Sequence, residues 1–146
     1  METRFNMATT ESAAYKAMMG LEGYLQTVSI SKTLKELIKI RASQINGCAY
    51  CIDMHTKDAI KYGETTQRIF LLNAWSETNL FTEEERVILA MTEEITLISQ
   101  HGLTDKTYAE AEKFFDKNTI AQIIMAIVTI NAWNRIAITT RLQPGM

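Results

Sequence analysis

The distribution of proline is the feature that most restricts how this chain can fold. Its only proline is Pro144, which lies near the end of a sequence of 146 residues. Because proline interrupts helices, its absence from residues 1–143 leaves long segments free to be helical. In these segments apolar residues recur three and four positions apart, and none shows the alternating pattern typical of a strand. The sequence therefore predicts an all-α fold.

Turn and capping residues divide the chain into about six helices and one short helical piece. Asn46-Gly47 indicates a turn between two helices, and Thr82 with Glu85 is typical of a capping box. Asn118 is expected to cap the last long helix. The predicted helices lie near residues 11–28, 31–45, 48–62, 65–74, 82–101 and 118 onwards, with the short piece at 104–115.

Length and charge narrow the class of protein. A chain of 146 residues with no linker or low-complexity stretch is expected to form a single domain, residues 1–146. It has 15 lysines and arginines against 17 aspartates and glutamates, so it offers no general basic surface for a nucleic acid. A nucleic-acid partner is therefore not expected.

Neither a membrane span nor an export signal is predicted. The longest strongly apolar run covers residues 120–130, which is shorter than the roughly 20 residues that cross a bilayer, and a buried core helix is expected there. Residues 1–10 contain Glu2 and Arg4 and no apolar signal segment. The expected location is the cytoplasm, where thiols are mostly kept reduced.

The most informative chemical pattern is Cys48-x2-Cys51-x3-His55. On a helix these positions share one side, and two thiols one turn apart can close a disulfide with little backbone movement. A free thiol has a pKa near 8.5 and is only about 3% thiolate at neutral pH. A helix N-terminus and a nearby imidazole both raise that fraction, and the thiolate is the reactive form. The spacing therefore favours a redox dithiol.

Two other interpretations of these residues stay open. Cysteines in a reducing compartment are often simply small, buried apolar residues. Alternatively, the two thiols and the imidazole hold zinc, with His101 or Asp53 as the fourth ligand. A thioredoxin-type motif is not expected, because that motif lies beside a βαβ unit and no strands are predicted.

Glu36 extends the pattern to Glu-x11-Cys-x2-Cys-x3-His. In this form the chain resembles the alkylhydroperoxidase AhpD family, which belongs to the carboxymuconolactone decarboxylase-like superfamily. The likeness covers roughly residues 34–141 and is clearest in three segments. These are residues 37–51, residues 53–59 and Ile130-Asn131-Ala132-Trp133-Asn134-Arg135.

The resemblance implies an AhpD-like helical fold that assembles into homotrimers or homohexamers. It implies that Cys51 attacks a peroxide and that Cys48 resolves the resulting sulfenic acid as a disulfide. By the same resemblance, His55 takes and returns a proton and Glu36 orients His55. The implied partners are a peroxide or disulfide substrate and a dithiol reductant such as a lipoyl-bearing protein. No metal and no cofactor are implied.

Two positions need an interpretation of their own. Glu36 lies away from the apolar stripe that contains Leu34 and Leu37, so the local pattern alone favours a solvated carboxylate. The best-studied family members have a histidine directly before the second cysteine, where this chain has Tyr50. A tyrosine hydroxyl donates hydrogen bonds but is a poor proton acceptor at neutral pH, so Tyr50 is expected to have a supporting role.

Taken together, these features predict a thiol-dependent hydroperoxide reductase with Cys51, Cys48, His55 and Glu36 as catalytic residues. The first alternative is a general dithiol–disulfide oxidoreductase without efficient peroxidase activity. The second is a zinc-binding or structural helical oligomer. A decarboxylase activity, found in the wider superfamily, is disfavoured because that chemistry does not require a dithiol.

Overall fold

The computed structural model describes residues 1–145 and contains eight α-helices, one 3₁₀ helix and no strand among them. The prediction of an all-α fold is thereby confirmed. In chain order the helices are α1 (Met7–Thr10), α2 (Ser12–Leu25), α3 (Lys32–Asn46), α4 (Ala49–Lys61), α5 (Thr66–Leu71), the 3₁₀ helix (Leu72–Glu77), α6 (Glu83–Thr96), α7 (Asp105–Ala111) and α8 (Lys117–Thr140). The additional elements are the short α1 and the 3₁₀ helix, which are too brief to show a clear periodicity in the sequence.

Helix α3 lies at the centre of the fold and packs against α4, α6 and α8. Residues 35–40 are all buried. On one side of α3, Ile38 belongs to the same core cluster as Ile123 of α8. On another side, Leu37 belongs to a second cluster with Leu72 of the 3₁₀ helix. Because α3 is covered over most of its circumference, three of its charged residues, Lys35, Glu36 and Lys39, are also removed from water.

The predicted turn at Asn46-Gly47 is confirmed and connects α3 to α4. Gly47 has a φ of 71°, in the left-handed region that glycine adopts with little strain. The backbone N–H of Cys48 then donates to the carbonyl oxygen of Ser43 at 2.9 Å, which closes the end of α3. Cys48 is thus the N-cap residue of α4, one position before the first helical residue.

A network of polar side chains fastens this turn to α8. The fully buried Asn134 donates to Ser43 Oγ at 2.9 Å and accepts a hydrogen bond from Asn46 Nδ2 at 2.9 Å. Asn46 Nδ2 also lies 2.9 Å from Asn131 Oδ1. Two asparagines of α8 therefore hold the end of α3 and the start of the cysteine motif in place.

Helix α8 supplies much of the core. By length and composition alone it could cross a membrane, but 44% of its most apolar window is buried inside the protein. Ile123, Ile127 and Ile130 all lie in the main core cluster. Core packing therefore accounts for the apolar run at residues 120–130, as the sequence predicted.

The end of α6 differs from the prediction. The helix ends at Thr96 and does not continue to His101, because the backbone leaves the helical region at Leu97. The carboxylate of Glu94 accepts a hydrogen bond from the backbone N–H of Thr104 at 2.7 Å. This contact holds the beginning of α7 beside α6, so the intervening chain must turn.

Of the two helix caps predicted from the sequence, that of α6 is confirmed and that of α8 was wrong. The capping box of Thr82 and Glu85 is present at the start of α6 with both of its hydrogen bonds. The predicted cap of α8 was wrong, because Asp116 occupies that position and Asn118 lies inside the helix. The carboxylate of Asp116 accepts from the N–H of Thr119 at 2.7 Å, and aspartate caps helices as well as asparagine does.

Replacing Asn134 by leucine should lower the free energy of unfolding by about 1–3 kcal/mol, because it leaves the buried hydroxyl of Ser43 without its partner and removes one of the two acceptors of Asn46 Nδ2. Urea unfolding followed by circular dichroism measures the change. Thr139→Leu is the matched control, since Thr139 is an exposed residue of the same helix. Equal stability of the two variants would contradict the structural role assigned to the network.

Candidate functional site

The two cysteines are joined to each other at the start of α4. Cys48 and Cys51 form a disulfide, with their Cα atoms 5.4 Å apart. Cys48 is the N-cap residue and Cys51 lies in the first turn, where unpaired backbone N–H groups and the helix dipole favour a thiolate after reduction. Both residues are buried. The spacing in the sequence therefore does bring the two sulfur atoms together.

Glu36 and His55 meet between α3 and α4. His55 Nδ1 lies 2.8 Å from Glu36 Oε2, and both side chains are buried, with 6% and 4% of their surface exposed. The local interpretation of Glu36 as a solvated carboxylate was wrong, because α3 is a central helix with little surface in contact with water. A carboxylate at Nδ1 accepts the proton of that nitrogen, which leaves the lone pair of Nε2 available as a proton acceptor.

Lys39 completes a buried group of three ionisable side chains. Its Nζ donates to Glu36 Oε1 at 3.1 Å, so the two carboxylate oxygens have separate partners. Burial alone raises the pKa of Glu36, but the hydrogen bond with His55 and the charge of Lys39 outweigh burial. The pKa of Glu36 therefore lies below its usual value, and the carboxylate is ionised at neutral pH.

A cavity of about 500 Å³ opens beside these residues. Cys51, His55, Glu36 and Tyr50 line it, whereas Cys48 is not among its lining residues. The other members of its wall come from the N-terminal segment and from α2, α3, α4 and the C-terminal part of the chain. The volume is in the range of sites that enclose a small organic molecule. Of the two cysteines, Cys51 is therefore the one that a molecule in this cavity would contact.

The N-terminal segment covers one side of the cavity. Phe5, Asn6, Met7 and Ala8 are part of its wall. Just before them, the backbone N–H of Arg4 donates to the carbonyl oxygen of Thr140 at 2.9 Å, which attaches the segment to the end of α8. No motif in the sequence distinguishes this segment.

The arrangement favours a dithiol over the zinc site considered from the sequence. In this structure the sulfur atoms of Cys48 and Cys51 are bonded to each other, so neither is free to bind a metal. Within residues 1–145, a different set of possible ligand atoms lies within 4.8 Å of one another, and it belongs to Glu36, His55 and Asp58. The imidazole of His101 instead contacts the carbonyl oxygen of Gly102.

Two functional candidates, Lys35 and Lys39, were not predicted from the sequence. Both are buried, and both line the cavity. For Lys39 the sequence held a signal, because an acid and a base three positions apart on a helix can pair. For Lys35 no such signal exists, since its burial follows from the position of α3 among the other helices.

Comparison with known proteins identifies the family of the chain. Residues 12–94 match the model of the carboxymuconolactone decarboxylase family. The uncharacterized protein YdfG of Bacillus subtilis (strain 168) is 47% identical over 123 residues, which is 84% of each chain.

Solved structures give the same assignment. A protein of unknown function from Agrobacterium tumefaciens, whose name associates it with antioxidant defence and AhpD, is 39% identical and has a TM-score of 0.96 over 99% of both chains. The debrominase Bmp8 has a TM-score of 0.84 at 19% identity, over 94% of this chain and 74% of its own, and so shares the fold. The chain belongs to the carboxymuconolactone decarboxylase family and has an AhpD-like fold, in agreement with its Glu-x11-Cys-x2-Cys-x3-His pattern.

Proposed function

We propose that this protein is a thiol-dependent hydroperoxide reductase. The observation that supports this best is the placement of Cys51, which is bonded to Cys48 and lines the same cavity as the Glu36–His55 pair. A nucleophilic sulfur, a resolving sulfur and a proton acceptor are the groups that reduction of a peroxide requires.

The proposed cycle begins from the disulfide. A dithiol donor reduces the Cys48–Cys51 bond and becomes a disulfide itself, which leaves two thiols on the protein. The thiolate of Cys51 then attacks the terminal oxygen of the hydroperoxide, and the O–O bond breaks. Cys51 becomes a sulfenic acid, and the alkoxide leaves as an alcohol after it has received a proton.

His55 and Cys48 complete the cycle. His55 Nε2 accepts the thiol proton of Cys51 and returns it to the departing alkoxide, while Glu36 stabilises the imidazolium that forms in between. The thiol of Cys48 attacks the sulfenic sulfur, water leaves, and the disulfide forms again. The sum is one hydroperoxide and one dithiol converted to one alcohol, one water and one disulfide.

The different access of the two cysteines to the cavity supports Cys51 as the attacking residue and Cys48 as the resolving one. Cys51 lines the cavity and Cys48 does not, so a substrate in the cavity meets the second sulfur first. Tyr50 lies on the same wall, where its hydroxyl can donate a hydrogen bond to a substrate oxygen. A dithiol–disulfide oxidoreductase would use the same two sulfur atoms but would not form a sulfenic acid, which separates the two functions experimentally.

Cys51→Ser should abolish the consumption of cumene hydroperoxide supported by dithiothreitol, because the attacking sulfur is gone. Cys48→Ser is the matched variant: reduced beforehand and freed of dithiothreitol, it should consume about one equivalent of hydroperoxide per chain and accumulate a sulfenic acid that dimedone traps. Mass spectrometry and a thiol count before and after one equivalent of hydroperoxide make the measurement. Undiminished turnover by Cys51→Ser, or the sulfenic acid on Cys48, would contradict the proposed roles.

Glu36→Gln should lower the rate of hydroperoxide reduction by roughly tenfold or more, because a neutral amide stabilises the imidazolium of His55 less than a carboxylate does. Reduction of the hydroperoxide under saturating dithiol, measured by stopped flow, tests this. Glu84→Gln removes an exposed carboxylate and serves as the control. Equal rates for the two variants would remove Glu36 from the proposed relay.

The stability of the protein should also depend on pH through Glu36. Because the pKa of Glu36 is lowered in the folded state, its contribution is complete above the unfolded value of 4.5 and is lost as the pH falls below that value. The difference in free energy of unfolding between the wild type and Glu36→Gln should therefore shrink on acidification through pH 4.5. Urea unfolding at a series of pH values measures it, and a difference that grows on acidification would show the opposite linkage.

A further inference from the structure

Among the buried ionisable side chains of residues 1–145, Lys35 is the exception because it forms no ion pair. The others are Glu36, Lys39, His55 and Glu64. Glu36 contacts both Lys39 and His55, and Glu64 contacts Arg68, so each acid contacts a basic side chain and each base an acidic one. Lys35 is 6% exposed and has no acidic partner within ion-pair distance among residues 1–145. A buried cation without a counter-charge is unfavourable, which calls for an explanation.

The one polar contact of Lys35 leaves most of its binding capacity unused. Its Nζ donates to the carbonyl oxygen of Leu25 at 2.7 Å. An ammonium group has three N–H donors, so two of them are free for another acceptor. Burial and the neighbouring charge of Lys39 lower the pKa of Lys35, and together they outweigh the opposite effect of the carboxylates of Glu36 and Glu22.

Lys35 lines the same cavity as Cys51. Most of the wall that they share is apolar or aromatic, with Tyr15, Met19, Met54, Trp133 and Ile136 among its members. A ligand in this space therefore contacts a reactive sulfur, an apolar surface and an ammonium group at once.

The other charged side chains that line the cavity have contacts of their own. Glu22 accepts the indole N–H of Trp133 at 2.9 Å, and Lys32 lies over the ring of Tyr62 at 5.3 Å. Asp58 has its carboxylate near Glu36 and His55, where it would repel an anion. The position next to Lys35 is thus the part of the wall that is best suited to a negative charge.

From this arrangement we infer that the substrate is an organic hydroperoxide with an apolar body and one carboxylate, and that Lys35 binds the carboxylate. The inference rests on the proposed function and adds the substrate class to it. Two free N–H donors on a single charge match the two oxygens of one carboxylate. A phosphate dianion would bring a second negative charge, whereas the other two lysines of the wall already have contacts, Lys39 with Glu36 and Lys32 with the ring of Tyr62.

The first experiment compares two substrates that differ only in charge: the hydroperoxide of linoleic acid and the hydroperoxide of its methyl ester, both below micellar concentrations. The wild type should prefer the acid by about tenfold or more in kcat/KM, which is the size expected for one charge-assisted hydrogen bond. In Lys35→Met the ratio of acid to ester should fall towards one, and in Lys35→Arg the preference should be retained. Lys117→Met, which removes an exposed lysine at the start of α8, should keep the preference of the wild type.

The second experiment measures binding without turnover. In isothermal titration calorimetry, octanoate should bind to the disulfide form at least tenfold more tightly than methyl octanoate does. Lys35→Met should lose this difference, and Lys117→Met should retain it. Circular dichroism checks that each variant is folded; if Lys35→Met is not, the wild type and Lys35→Arg still decide the question by their preference for acid over ester.

The outcomes separate this inference from the function on which it rests. Efficient reduction of both hydroperoxides without preference would overturn the carboxylate site and leave the peroxidase proposal standing. Lys35-dependent binding of octanoate without reduction of either hydroperoxide would support the carboxylate site and overturn the peroxide chemistry. Binding of octanoate that is equally tight in Lys35→Met would overturn the role of Lys35.

Discussion

The contact between Glu36 and His55 depends on a carboxylate that is kept inside the protein. Helix α3 is surrounded by α4, α6 and α8, so Glu36 loses its contact with water. That loss is tolerated because His55 and Lys39 supply a hydrogen bond and a positive charge to the two carboxylate oxygens. The same contact joins α3 to α4. The position of the imidazole is therefore set by the packing of two helices and not by the local sequence around His55.

Features determined by neighbouring residues could be predicted from the sequence, and features determined by distant ones could not. The turn at Gly47 and the capping box of Thr82 depend on residues within one helical turn, and both are present as predicted. Helical periodicity did not predict the burial of Glu36, because an amphipathic pattern assumes that one side of the helix faces water. The end of α6 was missed because Glu94 binds Thr104, beyond the predicted end of the helix. The family resemblance placed Glu36 beside His55, since a family pattern reflects contacts between helices.

The two cysteines look equivalent in the sequence, but their surroundings differ. Both residues belong to the main core cluster, but Cys51, in the first turn of α4, also lines the cavity, whereas the N-cap residue Cys48 does not. One short stretch of helix thus joins the two sulfur atoms while placing only one of the two cysteines in the wall of the cavity. For a pair in which one sulfur attacks and the other resolves, this difference in access is sufficient to define the order. A difference in acidity between the two thiols is not needed.

The fold alone does not determine the chemistry of this cavity. The debrominase Bmp8 shares the fold at 19% identity, so the reaction must depend on which side chains form the wall. In this protein much of that wall comes from outside residues 36–55, including the N-terminal segment and the end of α8. Lys35 is the clearest example. Its ammonium group has a single carbonyl acceptor and no ion pair within residues 1–145, so burying its charge is unfavourable. A charge whose burial is unfavourable is better explained by what it binds, because a bound anion turns it into a favourable contact.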